Sequence, residues 1–180
     1  MSSEGVLSGT SPAGVVDADR VVADLFASEA RSLVRLARIF CDDRNAAEDL
    51  VQEAFIRLHR SAGTIRDPER APAFLRSIVI NLARDHNRRG LMSLRHTSSM
   101  PKPEPDRGFE DVTVDSHDDR IVLEAVRNLP ERQRACLALR YYLELSESET
   151  ADTLGISKSS VKTHCRRGLA ALEAAVEDLR

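Results

Sequence analysis

The sequence predicts an all-α protein: two small helical domains joined by a flexible linker rich in proline and acids, the C-terminal domain a helix-turn-helix. Three observations predict it. Aromatic residues make up only 4% of the chain and Trp is absent, while Ala, Leu, Arg and Glu abound, a composition that favours helices over sheets. Apolar residues recur at helical spacing in several separate blocks. Between Leu91 and Asp119 this pattern gives way to Ser, Thr, Pro and acids around the segment PKPEP, and proline at alternate positions excludes a helix. The expected organisation is therefore a disordered tail over 1–17, a helical domain over 18–90, a linker over 91–119 and a second helical domain over 120–180.

Taken in order, residues 1–17 are rich in Ser, Gly and Thr and lack the basic start and apolar centre of a signal peptide. Leu25, Phe26, Leu33, Leu36, Ala37 and Phe40 then mark the core face of a first helix, which stops at the polar CDDRN segment. Asn45, with Glu48 three residues on, reads as the capping box that opens a second helix. Gly63, Pro68 and Pro72 make a loop, and a third helix follows over about 73–89. In the second domain the expected helices are 121–128, 131–142, 146–154 and 158–179, with Ser146 and Glu149 as another capping box and Ser157 as the last cap.

No apolar run approaches the roughly 20 residues that cross a bilayer, so no membrane association is expected. The cysteines Cys41, Cys136 and Cys165 are odd in number and far apart in sequence. They suggest neither a disulfide framework nor a metal site, but small core residues in a reducing cytoplasm. No nucleophile-base set, phosphate loop or metal-ligand spacing points to an enzyme or to a cofactor. The net charge of -3 conceals two basic patches. Six arginines stand between Arg70 and Arg95 against the single acid Asp85, and four cations without an acid lie between Lys158 and Arg167.

Three stretches carry the functional signal. In SESETADTLGISKSSVKTHCRRGLAAL, Ala151 is small where two helices cross, Gly155 permits a left-handed turn, and Val161 plugs the interface. At 100° per residue Val161, Cys165, Gly168 and Leu172 share one face, while Ser159, Thr163, Arg166 and Arg167 face the other way with Lys162 at the flank. Such a face can read a major groove, and a solvated helical hairpin is the plainer alternative. In AEDLVQEAFIRLHR, Ala47, Leu50, Val51, Ala54, Phe55 and Leu58 make a core face and leave Asp49, Gln52, Glu53, Ile56 and Arg60 outside. An aliphatic side chain ringed by acids suits docking onto a basic protein partner, although isolated exposed apolar residues are also common. In APAFLRSIVINLARDHNRRG, Leu75, Ile78, Val79 and Leu82 point inward. Phe74, Ser77, Asn81, Arg84 and Arg88 line an outer flank that suits melted DNA or serves simply as a charged surface.

These three stretches, in this order, closely resemble the ECF (extracytoplasmic function, group four) sigma factors of the sigma-70 family. The resemblance implies a factor that binds core RNA polymerase and directs initiation by recognising minus-ten and minus-thirty-five elements and opening the promoter. It assigns Asp49, Gln52, Glu53 and Ile56 to the clamp coiled coil of the polymerase largest subunit, with the flap as a further contact of the factor. It assigns Ile65, Arg66, Phe74, Ser77, Asn81, Arg84, Arg88 and Arg89 to minus-ten DNA, Asn81 standing where the family has its base-contacting amide. Lys158, Ser159, Ser160, Lys162, Thr163, Arg166 and Arg167 fall to minus-thirty-five DNA. Ile65 stands where many relatives have an aromatic residue, and Phe74 where Trp is usual. Members are often sequestered by an anti-sigma protein, which the resemblance admits as a partner here. Elements about 17 base pairs apart are separated by roughly 58 Å. The linker, at about 3.1 Å per extended residue, reaches about 85 Å. A stand-alone DNA-binding regulator is the rival reading, and it predicts duplex binding without polymerase.

Overall fold

Leu33, Leu36, Leu58, Leu75 and Val79 are completely buried, and the three helices that carry them build the N-terminal half. A computed structural model describes residues 18–41, 43–61, 67–96 and 117–178 of the chain. Helices α1 (Ala18–Phe40), α2 (Arg44–Ser61) and α3 (Ala71–His96) pack mutually as a bundle, with a 3-10 turn (Pro68–Arg70) leading into α3. In the C-terminal half, α4 (His117–Asn128), α5 (Glu131–Leu137), α6 (Glu147–Leu154) and α7 (Lys158–Asp178) follow, and α7 is the element against which α4, α5 and α6 all pack. The described residues contain no strand, and none of their helices is long and apolar enough to cross a membrane. The expected tail and most of the expected linker lie outside the described residues, but α3 continues to His96 and α4 already begins at His117.

Local chemistry explains the boundaries. The cap of α2 is Asp43, not Asn45: its carboxylate accepts from the backbone N–H groups of Asn45 and Ala46 at 3.1 and 3.2 Å. Glu48 pairs instead with Arg44 one turn back, at 2.8 Å. An ionised carboxylate outside the first turn satisfies two orphan donors and also meets the positive end of the helix dipole. Asp67 does the same for the 3-10 turn, accepting from Glu69, with Pro68 at the first position where its missing N–H costs nothing. Phe26 departs from the expected core: it is 55% exposed and meets Phe55 edge-on, with centroids 5.1 Å apart. The expected helix over 131–142 is α5 followed by a π-helical turn (Ala138–Tyr142). Widening the helix keeps Ala138 and Leu139 buried while Tyr141 and Tyr142 emerge.

The two halves touch. Ala135, Ala138, Leu139 and Leu145 belong to the same buried cluster as the apolar faces of α1, α2 and α3, and α6 lies against α3. A second, smaller cluster of Leu129, Cys136, Leu137, Ala151, Val161 and Cys165 belongs to the C-terminal half alone. All three cysteines are buried free thiols. Burial raises the Cys136 thiol to about 12, with the adjacent Cys165 adding to the effect, so Cys136 behaves as a packing residue.

The turn between α6 and α7 has the geometry that its residues require. Gly155 takes φ 62°, ψ 38°, the left-handed region, and its N–H returns to the carbonyl of Ala151. Gly155→Ala finds open space but the wrong backbone region, so the expected loss is about 1 kcal/mol of stability with no cavity or clash, read from denaturant unfolding. At the other end of α6 the capping box is complete: Ser146 Oγ accepts from Glu149 N at 3.2 Å, and Glu149 Oε2 accepts from Ser146 N at 2.8 Å. The Ser146 hydroxyl and then its backbone N–H hold the Glu149 carboxyl below its ordinary value. A depressed folded-state pKa gives a contribution that is complete above the unfolded value of about 4.3 and disappears as pH falls through the folded one. Glu149→Gln is therefore expected to flatten the acid limb of the unfolding midpoint below about pH 4.3, measured by circular dichroism.

Candidate functional site

Three exposed helix faces stand opposite three buried ones. On α2, Ala47, Val51, Ala54, Phe55 and Leu58 are buried, whereas Asp49, Gln52 and Arg60 are exposed and Ile56 is 46% exposed. Glu53 is half-buried and paired with Arg57 at 2.7 Å across one turn. Both partners are open to solvent, so the pair is weak and a stronger cation could displace Arg57. The arrangement is an aliphatic centre within a polar rim in which Asp49 is an exposed acid and Glu53 is paired only with a solvent-open arginine, so both carboxylates are available to a basic protein surface.

On α3, Leu75, Ile78, Val79, Ile80 and Leu82 are buried, and the expected flank is only partly open. Phe74 is 41% exposed, Asn81, Arg88 and Arg89 are exposed, and Ser77 Oγ donates to the Phe74 carbonyl at 2.7 Å. Arg88 also pairs with Asp85 at 3.1 Å. Arg84 is committed elsewhere, its guanidinium donating to Glu131 at the start of α5. Arg76, one of the six arginines of the patch, reaches back to Glu29 on α1 at 3.0 Å and is part of the bundle instead. Ile65 and Arg66 lie outside the described residues.

On α7, Val161 is fully buried and Cys165 and Gly168 are buried, while Lys158, Ser159, Lys162, Arg166 and Arg167 are exposed. A Cβ on Gly168 would meet Leu137 Cδ1 at 2.9 Å, so the absent side chain is what lets α7 lie so close to α5. Ser160 and Thr163 are turned partly to local bonding. Ser157 Oγ accepts from Ser160 N at 3.1 Å and contacts Ser160 Oγ at 2.8 Å, and Thr163 Oγ1 donates to the Ser159 carbonyl at 2.9 Å. Lys162 stands 3.5 Å from Glu147 on α6. The two arginines at the middle of the helix remain the open, planar, multiply donating groups that phosphates and guanine edges accept.

The sequence does not reveal a second set of polar residues, those that join the halves. Arg127 on α4 donates to the carbonyls of Arg38 and Cys41 at the end of α1, at 2.9 and 3.4 Å. Arg134 on α5 lies over the Phe40 ring, 5.5 Å from its centroid. Arg35 on α1 bonds the Tyr142 hydroxyl, which burial nonetheless pushes above the ordinary tyrosine value. No local pattern signals such long-range pairs.

The family description Sigma-70 region 2 matches residues 25–90, and Sigma-70, region 4 matches residues 119–172. The chain is 31% identical over 147 residues to an RNA polymerase sigma-E factor of Streptomyces avermitilis, covering 81% of this chain and 79% of that protein. It is 32% identical over 164 residues to the ECF RNA polymerase sigma factor SigM of Mycobacterium tuberculosis, covering 87% and 78%. Among solved structures, CnrH in complex with the cytosolic domain of CnrY superposes with a TM-score of 0.66 at 22% identity over 89% of this chain and 90% of that one. The sigma factor RpoE of Bartonella quintana, in complex with the anti-sigma factor NepR, gives 0.64 at 17% identity over 88% and 98%. Two region matches in chain order and relatives of this identity and coverage place the chain in the sigma-70 family of RNA polymerase sigma factors, in its ECF branch.

Proposed function

We propose that this sigma factor divides promoter-directed initiation among its three exposed faces, and that it catalyses no reaction itself. The α2 face docks on core polymerase, at the clamp coiled coil of the largest subunit, through Asp49, Gln52, Glu53 and Ile56. The α3 flank takes the separated minus-ten strand. Phe74 offers a stacking surface there, Asn81 an amide for a base edge, and Arg84, Arg88 and Arg89 neutralise phosphates, with Ile65, Arg66 and Ser77 completing the reader. The α7 face enters the major groove at minus thirty-five through Lys158, Ser159, Ser160, Lys162, Thr163, Arg166 and Arg167, and the C-terminal half also meets the flap. Residues 97–116 serve as the tether between the two readers. Preferential affinity for an unstacked base shifts the duplex towards the open state without any chemical step.

The observation that carries this reading is the pairing, on α7, of a buried Val161–Cys165–Gly168 face with an exposed face of four cations next to a left-handed Gly155 turn. Its setting is the cytoplasm, where core polymerase works. An anti-sigma protein is a further partner, in keeping with the complex in which the Bartonella quintana sigma factor was seen. Run-off transcription with purified core polymerase, with and without the protein, tests the function as a whole.

Reversing charge at the docking face, Asp49→Lys with Glu53→Lys, is expected to abolish retention on immobilised core polymerase while leaving helicity unchanged. Retention equal to wild type would refute the docking assignment. Arg166→Ala and Arg167→Ala should each weaken binding of a minus-thirty-five duplex by about 1–3 kcal/mol where a specific base contact is lost. An unaltered upstream footprint would overturn the recognition-helix assignment.

A further inference from the structure

The outward face of α7 carries four cations between Lys158 and Arg167, and no acid stands within that stretch. Helix α6 nevertheless brings one to it. Glu147 is the first residue of α6, directly after the Ser146 cap, and its Oε2 lies 3.5 Å from Lys162 Nζ. The same carboxylate is near Cys165, three residues further along α7: burial raises that thiol, and Glu147 adds to the rise against the opposing Arg140. The acid is the fixed member of the pair. The reciprocal bonds of Ser146 and Glu149 hold the backbone on either side of it, and a carboxylate in the first turn of a helix meets the positive end of the dipole. Lys162 ends on a flexible four-carbon stem, and Arg166 and Arg167 stay exposed beyond it.

Both partners are substantially open to solvent, with side-chain exposures of 66% for Lys162 and 37% for Glu147, so the pair adds little to stability. Its weight is felt next to a polyanion. A lysine on a phosphate supplies affinity without sequence information, and each such contact steepens the fall of log K with log salt by about 0.9. To make that contact Lys162 must leave Glu147, which then stands as an unpaired carboxylate facing the phosphates. The pair therefore opposes one phosphate contact on any duplex, while the hydrogen bonds that arginines make to base edges are untouched.

We infer that Glu147 is a positioning residue that holds Lys162 back from DNA phosphates and so acts as a brake on sequence-independent binding, leaving upstream discrimination to Arg166 and Arg167. The inference rests on the proposed assignment of α7 to duplex DNA. A genome offers on the order of a million or more competing sites, so a factor with one phosphate contact fewer is retained less on them and stays available to polymerase.

The test uses the full chain as wild type, Glu147→Gln, Lys162→Gln and the double variant, each bound to a short duplex of random sequence over a series of salt concentrations. Glu147→Gln should bind about fivefold tighter than wild type near 0.1 M salt, with a slope steeper by about 0.9. In the Lys162→Gln background the same substitution should change affinity less than about twofold, as a pair acting through one contact requires. Matching circular dichroism and unfolding midpoints exclude a change of fold, and the salt slope is a quantity that a purely structural role for Glu147 would leave alone. Equal slopes for wild type and Glu147→Gln would remove the brake, and an undiminished gain in the Lys162→Gln background would show that Glu147 does not act through Lys162. Failure of all four proteins to bind duplex at low salt would instead remove the DNA assignment of α7, and the brake with it.

Discussion

The carbonyl end of α1 is the constraint on which the arrangement turns. Arg38, Phe40 and Cys41 are all at least nine-tenths buried, so a helix terminates inside the protein with its last carbonyl oxygens shielded from bulk water. No glycine closes it; the chain runs on into two aspartates and α2. Donors reach these carbonyls from distant elements. Asn87 of α3 donates to the Phe40 carbonyl, and Arg127 of α4 to those of Arg38 and Cys41. Leaving buried carbonyls unpaired would cost on the order of 1–3 kcal/mol each, so these side chains fix where α3 passes α1 and where the second half approaches the first. A cation at a helix C-terminus is favoured further by the helix dipole.

Once α3 is held there, its buried stripe of Leu75, Ile78, Val79 and Leu82 determines which residues must face out. The same logic governs α2 and α7, where small residues at crossings set the approach and polar residues occupy what remains. Gly168 against Leu137 and Ala151 beside Val161 do for the C-terminal half what Ala47 and Ala54 do for the N-terminal one. A sigma factor needs rigid presentation of exposed groups, and here rigidity derives from the faces that never meet a ligand.

The helical class and the three outward faces were legible because each follows from period and local turn chemistry. Ser146 with Glu149, the turn at Gly155 and the Ser157 cap are short-range motifs, and all three are present. What was not legible is non-local. Phe26 has helical spacing yet faces outward, because one extra apolar residue on a face does not reveal where a partner helix ends. Asn45 and Glu48 fit a capping pattern, but Asp43 two residues earlier is a stronger cap and starts the helix sooner. The π turn after Leu137 has no period of its own to read. Arg84 looks like a free cation on a helical wheel, and only tertiary structure shows Glu131 holding it.

Size gives the contact between halves a further physical reason. Bundles of some 60–75 residues bury a modest core, and isolated domains of that length are marginal in stability. Sharing Leu139 and Leu145 with the α1–α3 core extends the apolar cluster beyond what either half supplies, while the smaller cluster around Val161 and Cys136 keeps the helix-turn-helix intact on its own. Val126, Leu143 and Leu154 pack against the same cluster, so the contact is an apolar seam bordered by hydrogen-bonded arginines. The packed halves thus stabilise each other, and the exposed faces of α2, α3 and α7 are presented from a shared apolar framework.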